Sequence, residues 1–323
     1  MSYFIVKINE INQANKTNRS TIRLLNSSEI TIMETGLRDG IQVVEKYVPI
    51  KDRIVIVNGL INAGIKNIQI VSFVNPRKVP QMSEAEDLIS RLSCNNNIDY
   101  SALVFNRKGV ERAINSGIKK IETSISLNES YNQKNLGLNN VQAIEKLKIV
   151  IKSGLENKLK IRAGLQCVWG TTESKEVSLD NIIRNISSIV DLGVDKISLC
   201  DTSGMATPDS ISRLLESIYN DFPGVNICLH LHNTNGFGLK NLRCALEFGI
   251  KEIDTSLGGI GGTPYLKYSK GNIATEDTVS MLGKMGYHTG IDYKKVSEQS
   301  RFLEKIIGEK YFSGEMYKKV KSY

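Results

Sequence analysis

Two histidines one residue apart, His230 and His232 in the run HLHNTNG (230–236), are the side chains of this chain best suited to chemistry. They follow a mostly apolar stretch, Val225-Asn226-Ile227-Cys228-Leu229, that reads as a buried strand. Along a strand, residues i and i+2 share a face, so the two imidazoles project side by side. Paired imidazoles at a strand end suit a divalent cation, and the same pattern also arises from two core or solvated histidines. The 323 residues contain only three histidines, and two of them are here. A metal reading requires oxygen donors that the fold brings to the same place.

The rest of the chain shows how that happens. From residue 30 onward, short β-rich runs alternate with amphipathic helical patterns. The strand candidates are 30–34, 67–73, 99–105, 119–126, 159–166, 195–200, 225–231 and 251–256. Helical periodicity falls between them, at 51–63, 140–152, 180–192, 209–220 and 239–248. Gly64, Gly117, Gly193 and Gly249 each stand just past a helical run and just before a strand, where a left-handed C-terminal cap is wanted. Eight β-then-α units in ~260 residues predict an α/β fold, a (β/α)8 TIM barrel. A doubly wound sheet is the alternative, but no G-x-G-x-x-G follows the first strand. A helical run at 276–286, another at 292–309 and a basic tail at 318–321 make a C-terminal helical extension. Residues 1–27 are expected to be an N-terminal extension, and 28–323 a single catalytic barrel domain with its C-terminal helices and tail. Strand parity agrees with a barrel: Glu122, Ser124 and Ser126 alternate with Ile121, Thr123 and Ile125, and Glu252, Asp254 and Ser256 with Ile253 and Thr255. The polar faces are expected to line the lumen, and Arg162 has the same polar parity.

Composition narrows the partners. A hydrophobic fraction of 41% supports a full core, and a net charge of +8 favours anionic small molecules. Long Lys/Arg runs and aromatic-interleaved basic stripes are absent from the sequence, so nucleic acid is not expected. The five cysteines include no C-x-x-C pair, which points to reduced thiols and a cytoplasmic location. No apolar run approaches the ~20 residues that span a bilayer, so no membrane partner is expected.

In a barrel the working groups stand at the C-terminal strand ends and in the loops beyond them. There the sequence offers Arg38 and Asp39 after strand 1, Gln69 on strand 2, Arg162 on strand 5 and Asp201 after strand 6. Strand 7 adds His230 and His232, and the loop after strand 8 adds Thr263 and Asn272. One carboxylate, two imidazoles and an amide oxygen suit Mg2+ or Mn2+ better than a closed structural zinc site, with Zn2+ or Co2+ as further candidates. Arg38 beside such a cation supplies a fixed positive charge for a carboxylate or enolate oxygen.

These residues resemble the 3-hydroxy-3-methylglutaryl-CoA lyase family of the DRE-TIM metallolyases. The matching stretches are TGLRDGIQ (35–42), SFVNPRKVPQM (72–82), SLCDTSGMATP (198–208), HLHNTNG (230–236), LGGIGGTPY (257–265), KGNIATED (270–277) and GYHTG (286–290). The resemblance implies that Asp39, His230, His232 and Asn272 hold a divalent metal and that Arg38 stabilises the enolate formed on carbon–carbon cleavage. It implies a retro-aldol (retro-Claisen) reaction of a hydroxy acid or hydroxyacyl-CoA, and a homodimer. Arg38, Gln42, Arg162 and Lys46 are expected on the substrate side. Lys46 and the Arg77-Lys78 pair are candidates for a CoA phosphate or for solvated surface. Three positions depart from the family pattern. Thr263 stands where the family has the cysteine that protonates the enolate, Gln69 where it has a strand-2 glutamate, and Asn233 where it has an aspartate. A threonine hydroxyl is a far weaker acid than a thiol. Cys200, on the lumen parity of strand 6, and bound water are the candidate replacements. Two further readings stay open: a condensing acyltransferase joining an acyl-CoA to a keto acid, and a weakly active or inactive barrel kept as a binding partner.

Overall fold

The computed structural model describes residues 29–92, 97–171, 177–194, 196–262 and 271–320. Eight parallel strands close into a barrel in sequence order: β1 (Thr31–Glu34), β2 (Asn67–Ser72), β3 (Asp99–Leu103), β4 (Lys120–Ser126), β5 (Lys160–Gln166), β6 (Lys196–Asp201), β7 (Ile227–Leu231) and β8 (Glu252–Thr255). β8 pairs with β1 over Thr31↔Glu252 to Glu34↔Thr255, which seals the ring. Every expected strand is present within one or two residues of its predicted ends. β7 begins at Ile227 because the Val225 amide turns back onto the Phe222 carbonyl. β6 runs one residue further than expected, and Asp201 pairs with Leu231.

The helices form for the reasons the periodicity gives. The helix Asn140–Glu156 opens on a capping box, with the Asn139 side chain accepting from Gln142 and the Gln142 side chain returning the bond. It buries Ala143, Leu147, Val150 and Ile151 against the barrel. Apolar strand residues such as Ile121, Ile161, Ile197 and Ile253 point outward into the same layer and are buried. The four glycines expected as caps have φ of +97° (Gly64), +77° (Gly117), +80° (Gly193) and +81° (Gly249), a region that L side chains avoid.

Polar strand residues turn inward. In β2 a bulge at Ile70 shifts the register against β3, so Gln69 and Ser72 both address the lumen although their parity differs. The C-terminal helix Tyr293–Ile307 packs on Ile50–Asn62 and leads to a segment that backs the loop after β8. There the Ser313 and Gly314 amides donate to the Gly258 carbonyl at 3.1 and 2.9 Å, and the Ser313 hydroxyl donates to the Gly259 carbonyl at 2.9 Å. His288 lies at the opposite mouth of the barrel, where its carbonyl accepts from the Ile30 amide. Among the described residues, no helix is long and apolar enough to cross a membrane. The expected extension 1–27 and Thr263 lie outside the described residues.

Candidate metal centre

Directly after β1 the chain makes a single wide turn. The Thr35 carbonyl accepts from the amides of Arg38 (3.0 Å), Asp39 (2.7 Å) and Gly40 (3.3 Å), the last being an i→i+5 bond of π type. This turn folds Arg38 and Asp39 over the barrel mouth, and both are buried. It is anchored from below by Glu34, whose Oε1 accepts from the amides of Gly36 (2.8 Å) and Leu257 (3.0 Å) and whose Oε2 accepts from the Thr275 hydroxyl.

Across the mouth stand His230 and His232, with ring centroids 5.3 Å apart. One ligand atom from each histidine and one from Asp39 lie within 4.8 Å of one another, and all three residues are buried. Asn272 reaches this group from the other end of the chain because its backbone bridges to His232. Its Nδ2 donates to Asp39 Oδ2 at 2.8 Å and to the Ile260 carbonyl at 3.1 Å. Its Oδ1 is buried without a hydrogen-bond partner. A buried amide oxygen left bare beside a carboxylate and two imidazoles is what a hard cation satisfies, so the residues fit a divalent metal. Gly261 closes the cradle. At its φ of +143° an added Cβ would sit 2.3 Å from Asn272 Nδ2 and 3.4 Å from Asp39 Oδ2.

Charge prepares these donors. Burial alone would raise the Asp39 carboxyl, but the Arg38 guanidinium and the two imidazoles lower it to about 2. Burial and the neighbouring His230 lower His232 to about 4, which keeps its ring neutral. For His230, burial disfavours the cation, but the hydrogen bond to Asp254 and the charge of Asp39 outweigh it and raise the group. Its Nδ1 lies 3.1 Å from Asp254 Oδ2, which leaves Nε2, 3.7 Å from Asp39 Oδ2, to face the centre.

Beneath the donors a chain of polar contacts runs round the lumen. Arg38 donates through Nη1 to Asp39 and through Nε to the Gln69 carbonyl oxygen, and the Gln69 Nε2 donates to Glu122 Oε2. Arg162 grips both Glu122 (Nε–Oε2 2.8 Å) and Asp254 (2.6 and 2.9 Å), and Asp254 returns to His230. Gln42 Nε2 donates to Asp39 Oδ1 at 2.9 Å. Asp201 stands beside the ring. Burial raises its carboxyl to about 7 against the amides of residues 204–206, and its Oδ2 has no partner.

A cavity of about 150 Å3 opens above the donors. Arg38, Asp39, Gln42, His230 and His232 line it, as expected of a site, and so do Glu122 and Cys200. Gln69 and Arg162 lie below, buried within the polar ring. Lys46 is exposed and outside this lining, whereas Lys78 belongs to it. Asn233 keeps a local task, its Oδ1 accepting from the Gly238 amide at 3.1 Å. Burial raises the Cys200 thiol well above its ordinary value, so it remains protonated. The sequence had placed Glu122 and Asp254 on the lumen face without a role. The signal was an ionisable residue at an inward strand position, which is costly unless paired.

Known proteins resemble this chain in sequence and in fold. A family model described as HMGL-like matches residues 29–303. The hydroxymethylglutaryl-CoA lyase YngG of Bacillus subtilis is 34% identical over 281 residues, covering 87% of this chain and 94% of that protein. The enzyme of the same name from Pseudomonas mevalonii is 30% identical over 269 residues, 83% of this chain and 89% of its own length. The crystal structure of the Bacillus subtilis HMG-CoA lyase superposes with a TM-score of 0.87 at 34% identity, over 91% of this chain and 99% of that one. An HMG-CoA lyase from A. baumannii, in complex with coenzyme A and 3-methylmalate, gives 0.84 at 28% identity over 89% and 94%.

Proposed function

We propose, from the premise that the chain belongs to the HMGL-like family and is a hydroxymethylglutaryl-CoA lyase-like, metal-dependent enzyme, that it cleaves a carbon–carbon bond in a 3-hydroxyacyl-CoA at the Asp39/His230/His232 centre. The observation that carries the reading is the bare, buried Asn272 Oδ1 set against those three donors, with Arg38 next to them. Mg2+ or Mn2+ is the proposed cation, held by Asp39 and the two histidines with Asn272 Oδ1 as a further oxygen donor. When bound, it supplies Lewis-acid activation of the substrate hydroxyl and a hold on the carboxylate.

The chain's own residues do the rest. Arg38, fixed by Gln69 and Asp39, presents its guanidinium to the thioester oxygen as that oxygen takes up the electron pair of the breaking bond. Asp201, raised to about 7, is the group we assign to removing the hydroxyl proton. The hydroxyl carbon then becomes the ketone of the departing keto acid, and the acyl-CoA enolate takes a proton at carbon. With Thr263 in place of the family cysteine, that proton comes from another donor, and Cys200 is the thiol in the cavity lining. Lys78 at the cavity wall is the cation we assign to the anionic arm of the substrate. A homodimer belongs to the same reading, and light scattering measures it.

The test is turnover of hydroxymethylglutaryl-CoA with Mg2+ or Mn2+, following acetyl-CoA and acetoacetate. Formation of both, abolished by a chelator, supports the reading. Free CoA released from acetyl-CoA plus a keto acid, with no cleavage of the hydroxyacyl ester, would turn the assignment to condensation.

A further inference from the structure

Glu122 sits where the polar ring meets the cavity, and no role in the reaction has been given to it so far. It is on β4, buried, and its Oε2 accepts from three donors: Gln69 Nε2 and Arg162 Nε and Nη2. Gln69 is fully buried, and its amide spans the gap between Glu122 and Arg38. An amide in that position has one arrangement that satisfies both neighbours. Its NH2 must face the carboxylate, and its carbonyl must then face the guanidinium. Rotation by half a turn would place two acceptors together and two donors together. The orientation of Arg38 Nε is therefore dictated by the charge on Glu122, one residue removed.

We propose that Glu122 is the positioning carboxylate of this site, acting through the Gln69 amide to lock the Arg38 guanidinium over the cavity. A side chain at position 69 that carried its own negative charge would do this directly, and the family pattern has a glutamate there. In this chain the charge stands two strands further round the barrel, on β4, and a neutral amide transmits its direction. The charge balance explains why both positions are not acidic. Arg38 and Arg162 already face Asp39, Glu122 and Asp254. A fourth buried carboxylate touching Glu122 would force one of the pair to take a proton. Glutamine at 69 and glutamate at 122 are thus one arrangement, and either residue alone is incomplete.

The proposal rests on the lyase reading for its first assay. With hydroxymethylglutaryl-CoA and Mg2+, Glu122→Gln is expected to lower kcat at least tenfold with KM within threefold. It keeps the volume and the hydrogen-bonding atoms while removing the charge. Gln69→Leu, which cuts the link and leaves the Glu122–Arg162 pair intact, is expected to lower kcat to a similar extent. The double variant Gln69→Glu/Glu122→Gln moves the charge across the bond, and its kcat is expected to return to within threefold of the parent. A general loss of packing would not be repaired by that exchange. Glu122→Gln or Gln69→Leu retaining more than half of the parental kcat would overturn the proposal, as would a double variant no better than Glu122→Gln. If the parent protein cleaves no ester, the lyase reading falls, and the same variants are read by calorimetry for oxalate binding to Mn2+-loaded protein. Oxalate is a small planar dianion that offers negatively charged oxygens both to Mn2+ and to the Arg38 guanidinium. Glu122→Gln must then weaken oxalate at least fivefold and the double variant restore it. Unchanged binding, or protein that takes up no Mn2+, sinks the positioning role.

Discussion

At the scale of single residues, the centre is a set of donors whose protonation is arranged by their neighbours. Asp254 shows how far that reaches, since it fixes the His230 ring while also pairing with Arg162. Asp254→Asn should weaken Mn2+ binding by about 10–100-fold, the usual cost of losing a carboxylate behind a ligating histidine, as measured by calorimetry. An affinity unchanged within twofold would mean that His230 needs no such partner. Thr263→Cys tests the proposed loss of a thiol acid at that position. It is expected to raise hydroxymethylglutaryl-CoA cleavage if proton delivery limits the rate, and the steady-state rate of acetyl-CoA formation reports it. The residue types were largely legible. H-x-H on a strand, with Asp39 and Asn272 in the segments after β1 and β8, named side chains that the fold brings together. For Lys46 the sequence left a CoA phosphate and solvated surface both open, because a lysine twelve residues past a strand gives no information on which way its loop turns. The wide turn at 36–40 and the short helical turn after it carry Lys46 out to solvent.

At the scale of elements, the site depends on irregular backbone at three places: the π-type turn after β1, the bulge within β2 and the glycine loop after β8. Gly261 tests the last of these. Gly261→Ala would drive a methyl into Asn272 and toward Asp39 in a conformation L residues avoid. We expect a loss of metal affinity of roughly tenfold or more with the fold retained, read by Mn2+ titration alongside a thermal melt. Full affinity in the alanine variant would show that the loop relaxes without disturbing Asn272. The helix caps were visible in the sequence because a glycine between a helical and an extended pattern has one common purpose, and all four have positive φ. The bulge at Ile70 was not visible. It depends on the register of β2 against β3, a non-local property, and it alone puts Gln69 and Ser72 on the same side.

At the scale of the whole molecule, two carboxyls clamp the loop after β8 from below. Glu34 accepts from the Leu257 amide and Glu276 from the Gly258 amide, and burial raises each to about 7. Below pH 4.5 both are protonated in folded and unfolded chains alike and stability is unaffected. Between pH 4.5 and about 7 the unfolded chain ionises first, so stability falls as pH rises, and above 7 the cost is constant. At ~1.4 kcal/mol per pH unit, each carboxyl costs about 3 kcal/mol at pH 8. Glu34→Gln keeps the hydrogen-bonding atoms and should be near neutral at pH 5 and stabilising by about 1–3 kcal/mol at pH 8 in urea denaturation. A variant equally destabilised at both values would show that the native carboxyl is already ionised. The barrel itself was legible from eight repeats of one pattern, but this clamp was not, since it joins residues 223 positions apart. The span has a consequence for how the protein is made. Asp39 and Asn272 are separated by 233 residues, so a chain growing from its N-terminus carries the first of the proposed cation donors long before the last exists. In the proposed reading the full donor set therefore assembles only after β8 has paired with β1 and the chain beyond it has returned to His232. A partial chain lacks Asn272 and with it one of the proposed donors.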